Sequence, residues 1–137
     1  MVTTGGQDGI TLHLFSGVPV VELSGELNEA SVGVLTNTID RLARAGHLDI
    51  IVNFALAIRP ASGERGWLVR FEALTASLMA HYGRIDLVGG TDLVEAARNW
   101  RGRSVLRLAK SEEEALCQIK GVQMMSFTPK MRTVLPV

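Results

Sequence analysis

Apolar positions along this chain change period several times, and each change marks a predicted element. Ile10 to Phe15 alternates, Ser16-Gly17 interrupts it, and Val18 to Leu23 resumes an apolar run. Alternation broken by two turn residues predicts a hairpin whose first strand lies at a sheet edge. Ser24-Gly25-Glu26-Leu27-Asn28 reads as a short connector ending in a good helix cap. Over Glu29 to Ala45 the period becomes helical, with Leu35, Ile39 and Leu42 on one stripe, Val34 beside them, and Gly46 as a stop. Leu48 to Phe54 is apolar almost throughout and rich in Ile and Val, the pattern of a strand covered on both faces. Ala55 to Ala61 is a connector in which Pro60 disfavours helix.

The second half repeats the alternation of strand and helix. Trp67, Phe71, Leu74, Leu78 and Tyr82 form a helical stripe that Gly83 ends. Ile85 to Val88 is a short strand, Gly89-Gly90 a turn, and Thr91 or Asp92 caps a short helix carrying Leu93, Val94, Ala97 and Trp100. Ser104 to Leu108 is a last strand. Ser111-Glu112-Glu113-Glu114 has the Ser-x-x-Glu form of a capping box and opens a helix with Leu116 and Ile119. The order β-β-α-β-α-β-α-β-α predicts an α/β domain with a mixed, mostly parallel sheet of four or five strands and about four helices. Residues 1–8 read as a flexible leader, 9–120 as the domain and 121–137 as a tail. Met124, Met125, Phe127, Met131, Val134 and Leu135 make that tail apolar, so it is expected to pack on its own domain or on a second copy as a homodimer contact.

Composition narrows the function classes. A length of 137 residues suits one domain that can bury a core unaided. The 14 basic and 14 acidic residues cancel, so no global field gathers nucleic acid or an anionic membrane. The single cysteine, Cys117, cannot form an internal disulfide. Met1 to Gly9 lacks the apolar stretch of a secretory signal, and no run approaches the length of a membrane helix, so the expected location is the cytoplasm.

Candidate chemistry is sparse. His13, His47 and His81 lie on different elements, and no Cys or His pair has ligand spacing, so no metal is expected. Gly89-Gly90-Thr91-Asp92 lacks a nucleotide-binding pattern and reads as a turn with a cap; no cofactor is expected. Ser62-Gly63 lacks the glycine of a nucleophile elbow, and Glu112 to Glu114 is accounted for by the helix start, so no catalytic residues are assigned and the chain is not read as an enzyme. Arg98, Arg101, Arg103, Arg107 and Lys110 form a basic run that is either a solvated face or a docking patch for an acidic partner. Asn28, Asn53 and Ser62 fall at strand ends or helix starts, which gather along one edge of an α/β sheet. Each is also explained singly as a cap or turn.

These residues also carry a resemblance. Ser24-Gly25-Glu26-Leu27-Asn28 resembles the Gly-Glu-Leu-Asp turn of the STAS family, the domain shared by sulfate transporters and bacterial anti-sigma factor antagonists. Ile50 to Phe54 resembles its buried strand ending in Asp or Asn, and Ser111 to Leu116 its final helix. The family's Asp-Ser-Ser-Gly-Leu-Gly motif, counted without a gap from Asn53, falls on Ala61-Ser62-Gly63-Glu64-Arg65-Gly66. That register places Ser62 at the phosphate acceptor. A register with one inserted residue would put Ala61 there and abolish the switch. The motif's acid is Ala61 here, and the turn acid is Asn28. The resemblance implies a bacterial regulatory module of the antagonist type. It would bind another protein, such as an anti-sigma kinase, through Asn28, Asn53, Ala61, Ser62, Gly63, Arg65 and Gly66. The alternative is a constitutive STAS subunit of a stress-signalling or lipid-transport assembly, without phosphorylation.

Overall fold

The structure, a computed structural model, describes residues 9–59, 66–89 and 91–121. It opens with β1 (Gly9–Phe15) and β2 (Val18–Glu26), paired antiparallel from Phe15↔Val18 to Gly9↔Ser24. Ser16 and Gly17, at φ 51° and 84°, both take the left-handed conformation. A two-residue loop of that kind matches the twist of the strands it joins. After α1 (Glu29–Arg44) the chain enters β3 (Asp49–Asn53), then a two-residue strand β4 (Ala57–Ile58), α2 (Trp67–Ala80), β5 (Arg84–Val88), α3 (Thr91–Ala96), β6 (Leu106–Ala109) and α4 (Glu112–Lys120).

The sheet runs β1-β2-β3-β5-β6, antiparallel at the hairpin and parallel thereafter, as expected. β4 is the addition. It pairs with Gly25–Glu26 of β2 after Phe54 has carried the chain away from β3. The supposed connector Ser24-Gly25-Glu26 is therefore strand, and so is part of 55–61. A period-2 signal cannot show in two residues, which is why the pairing is invisible in the sequence.

The two faces of the sheet are unequally covered. Val21, Leu23, Ile50, Val52, Ile85 and Leu87 face α1, α2 and α3 in the larger core, with Val32, Leu35, Ile39, Phe71, Leu74 and Leu93 above them. Val20, Ile51 and Val88 face α4, which contributes Ala115, Leu116 and Ile119 to a smaller core. In α1 the buried stripe is Val32, Leu35, Thr36 and Ile39; Val34 lies off it and is exposed.

Helix ends account for the remaining differences. Asn28 caps α1 through a full capping box: Asn28 Oδ1 accepts from Ser31 N at 2.9 Å, and Asn28 N donates to Ser31 Oγ at 3.0 Å. Ser111 caps α4 by accepting from Glu114 N, but the Glu114 carboxylate reaches Lys110 N instead of closing the box. α2 starts at Trp67 with Gly66 at the N-cap position and no side-chain cap; Ser62 lies outside the described residues. Its far end also departs from expectation. Gly83 N bonds to Leu78 O and Tyr82 N to Met79 O, which puts Tyr82, not Gly83, in the left-handed closing position at φ 64°. Tyr82 is 85% exposed and leaves the buried stripe. Ser104 and Val105 belong to a 3-10 turn over Arg103–Val105, so the last strand starts at Leu106. Apart from Gly121, at the end of α4, the apolar tail lies outside the described residues.

Gly102, just before that turn, sets how closely the turn approaches α2. A Cβ there would meet the Thr75 carbonyl carbon at 2.5 Å. Gly102→Ala is therefore expected to cost about 3 kcal/mol in urea denaturation, the upper range for overpacking against backbone. Tyr82→Gly is expected to raise stability by about 1 kcal/mol, because it removes the left-handed strain of a side chain that packs on little.

Candidate functional site

In this fold the carboxyl ends of β2, β3 and β5 point to one edge, and the chain leaves each of them into a helix or loop. Leu27, Phe54, Ala57, Arg59, Trp67, Gly89, Asp92 and Leu93 line a shallow open pocket of about 90 Å³ there. Asn28 and Gly66 flank it as the chain neighbours of Leu27 and Trp67. Thus the structure brings the predicted positions Asn28 and Gly66 to a common edge. Ala61, Ser62, Gly63 and Arg65 lie outside the described residues.

Both asparagines bond within the fold at this edge. Asn28 spends its side chain on the α1 cap, and Ser31 Oγ donates onward to Glu26 O at 2.7 Å, which ties the end of β2 to the helix start. Asn53 is buried and turned to the α4 face. Its Nδ2 donates to Glu112 Oε2 at 2.7 Å, and its Oδ1 accepts from Ala55 N at 2.8 Å. Glu112 also lies 3.7 Å from His13 Nε2, across the hairpin. His13 is thus mid-strand, while His47 follows α1 and His81 closes α2. Among the described residues no group of His, Cys, Asp or Glu could hold a metal ion.

Sequence reasoning missed most of the pocket. Trp67 reads as core, and it is 8% exposed, yet it also forms a pocket wall; its indole N–H is buried without an acceptor among the described residues. Asp92 lies inside the first turn of α3, not at its cap, and its carboxylate pairs with Arg59 across the pocket mouth. Leu56, Ile58 and Val69, on the β4 segment and the first turn of α2, are 58%, 61% and 69% exposed. Exposed apolar side chains in the connector were the available signal, but nothing in the sequence distinguishes them from a disordered loop.

The basic run does not act as one patch. Arg107 makes two bonds to Asp86, Nε to Oδ2 at 3.0 Å and Nη2 to Oδ1 at 3.2 Å. Arg98 pairs with Glu95, and Arg103 donates to Leu106 O. Asp86 is fully buried, on the sheet face that α4 covers. Burial raises its pKa above the ordinary carboxylate value, and the Arg107 guanidinium opposes that shift.

No protein-family model matches the chain, and no curated protein matches it by sequence. The fold does match solved structures. The anti-sigma factor antagonist SpoIIAA in its unphosphorylated form aligns at TM-score 0.61 and 20% identity, over 83% of this chain and 100% of that one. The domain has the STAS fold. SpoIIAA of Bacillus, described as a cell fate determinant, in its phosphorylated form aligns at TM-score 0.57 and 22% identity, over 81% of this chain and 99% of that one. A protein of the DUF3478 family from Shewanella loihica, with a SpoIIAA-like fold, aligns at TM-score 0.55 and 14% identity, over 85% of this chain and 98% of that one. Among the described residues of this STAS-like domain no helix is long and apolar enough to cross a membrane.

The buried pair makes a stability prediction. Arg107→Met leaves the Asp86 carboxylate buried and unpaired, and is expected to cost about 3 kcal/mol at neutral pH. Asp86 then binds its proton more tightly folded than unfolded, so stability falls as pH rises above about 4. The penalty in Arg107→Met should accordingly shrink toward pH 4, read by urea denaturation across the pH range.

Proposed function

We propose that this chain is a regulatory, cytoplasmic protein-binding module that docks a partner through the edge at the carboxyl ends of β2, β3 and β5. The observation that carries this reading is the exposure of Leu56, Ile58 and Val69 on the same two segments, the β4 segment and the first turn of α2, that supply Ala57 and Trp67 to an open pocket. Large apolar side chains held out by a rigid frame suit a protein surface better than a reacting substrate. The bonding of Asn28 and Asn53 favours a scaffold role for both and leaves docking to their neighbours. The similar SpoIIAA structures, one of them phosphorylated, support control by phosphorylation; the motif register assigns Ser62 as the phosphate acceptor, with Ala61, Gly63, Arg65 and Gly66 beside it in sequence. A phosphate adds roughly two negative charges, enough to block an apolar contact. Catalysis is not part of the reading.

The second reading is a constitutive subunit of a larger assembly, favoured by the absence of the motif's acid at Ala61. A partner captured from the native cell with the full chain and identified by mass spectrometry gives the ligand for the test. Ile58→Asp is expected to weaken that partner about tenfold or more, as loss of an interface anchor does, with an unchanged melting temperature. Wild-type affinity in Ile58→Asp would remove this edge as the docking surface. Loss of affinity in Ser62→Asp supports the switch, whereas full affinity there favours the constitutive subunit.

A further inference from the structure

The two edges of the sheet are built differently. β6 is four residues long, carries Arg107 and runs into Lys110, so charge and brevity protect it. β1 is seven residues long, Gly-Ile-Thr-Leu-His-Leu-Phe, paired along its whole length with β2 and free of Lys, Arg, Asp, Glu, Pro and bulges. Leu12 and Leu14 are each 40% exposed on the side that faces α1.

The hairpin fixes which backbone groups β1 offers outward. In a two-residue hairpin the pair that closes the loop, here Phe15 and Val18, exchanges both of its hydrogen bonds, and bonded pairs then alternate. His13, Thr11 and Gly9 therefore bond inward to Val20, Glu22 and Ser24. Ile10, Leu12 and Leu14 turn their N–H and C=O groups to the outer edge, where no described strand pairs with them. Pro19 agrees with this parity: it sits opposite Leu14, where β2 needs no donor toward β1.

We propose that β1 pairs antiparallel with β1 of a second copy, about a two-fold axis through Leu12. The outward groups are symmetric about that residue, so one register satisfies all of them. Leu12 meets Leu12 of the second copy, and Ile10 meets Leu14 on both sides of the axis. The side chains agree with the backbone. Ile10, Leu12 and Leu14 join into one apolar strip on the α1 side, and Thr11 meets His13 on the other side, with no carboxylate or ammonium opposed. The strands of two domains then form one continuous sheet. This contact is separate from the docking edge, which lies at the strands' carboxyl ends.

The full chain is expected to show a concentration-dependent monomer–dimer equilibrium in light scattering between about 10 µM and about 1 mM, the weak range of a small interface. Leu12→Lys should weaken it at least about tenfold by placing like charges on the axis. Leu12→Cys should form a disulfide-linked dimer under mild oxidation, because facing residues of a bonded antiparallel pair stand about 5.5 Å apart at Cα, within disulfide reach. Leu14→Cys should not, since the two copies of that residue are about 14 Å apart along the strands. Cys117 is buried, with its thiol pushed up mainly by burial, and stays out of the reaction. A wild-type chain that remains monomeric to about 1 mM overturns the proposal. So does a dimer that survives Leu12→Lys, or cross-linking of Leu14→Cys as readily as of Leu12→Cys. A monomer that instead takes up a strand from the captured partner at β1 overturns it in favour of that partner.

Discussion

β3 is the constraint on which the rest of the structure depends. Its neighbours on both sides are parallel strands, and Ile50, Ile51 and Val52 are all essentially inaccessible, so both of its faces must be covered. Parallel neighbours require crossovers, and the crossovers supply the helices that do the covering. α1 and α2 take one face and α4 the other. The convergence of strand ends on one edge then follows from connection geometry, before any site residue is considered. Asn53, the last residue of β3, joins the layers by bonding Glu112 at the start of α4, some 59 positions along the chain.

What the sequence made legible followed from periodicity and caps. The hairpin, the apolar run of β3, the stripe of α2 and the caps at Asn28 and Ser111 all express local chemistry in neighbouring residues, and all are present. The features it hid are those decided at a distance. β4 exists only because Gly25–Glu26 continues past the end of β3, and the left-handed position at the end of α2 falls on Tyr82, one residue before Gly83. α2 starts at Trp67, and the Ser62 segment before it lies outside the described residues. At the candidate edge, Asn28 is the helix cap that its type and place predicted, and its side chain is spent there.

The Asp86–Arg107 pair shows the same division between local signal and distant cause. A lone acid in an apolar strand is conspicuous, and so is a lone arginine in the next strand, but only the parallel register sets them opposite. Such a pair adds little net stability over an apolar isostere, yet it penalises a slip of β6 along β5, because any other alignment strands a charge under a helix. The pair is thus better understood as fixing alignment than as holding the sheet together.

The unequal coverage of the sheet implies an order of opening. α4 has nine residues and joins the smaller of the two cores, so its departure would uncover Val20, Ile51 and Val88 but leave the larger core in place. Such a departure is a subglobal unfolding, cheaper than loss of the whole domain. It would release Glu112 from Asn53 and remove the described cover over Asp86. Of the two helical layers on the described sheet, the α4 layer is the one whose loss would sacrifice the least buried apolar surface.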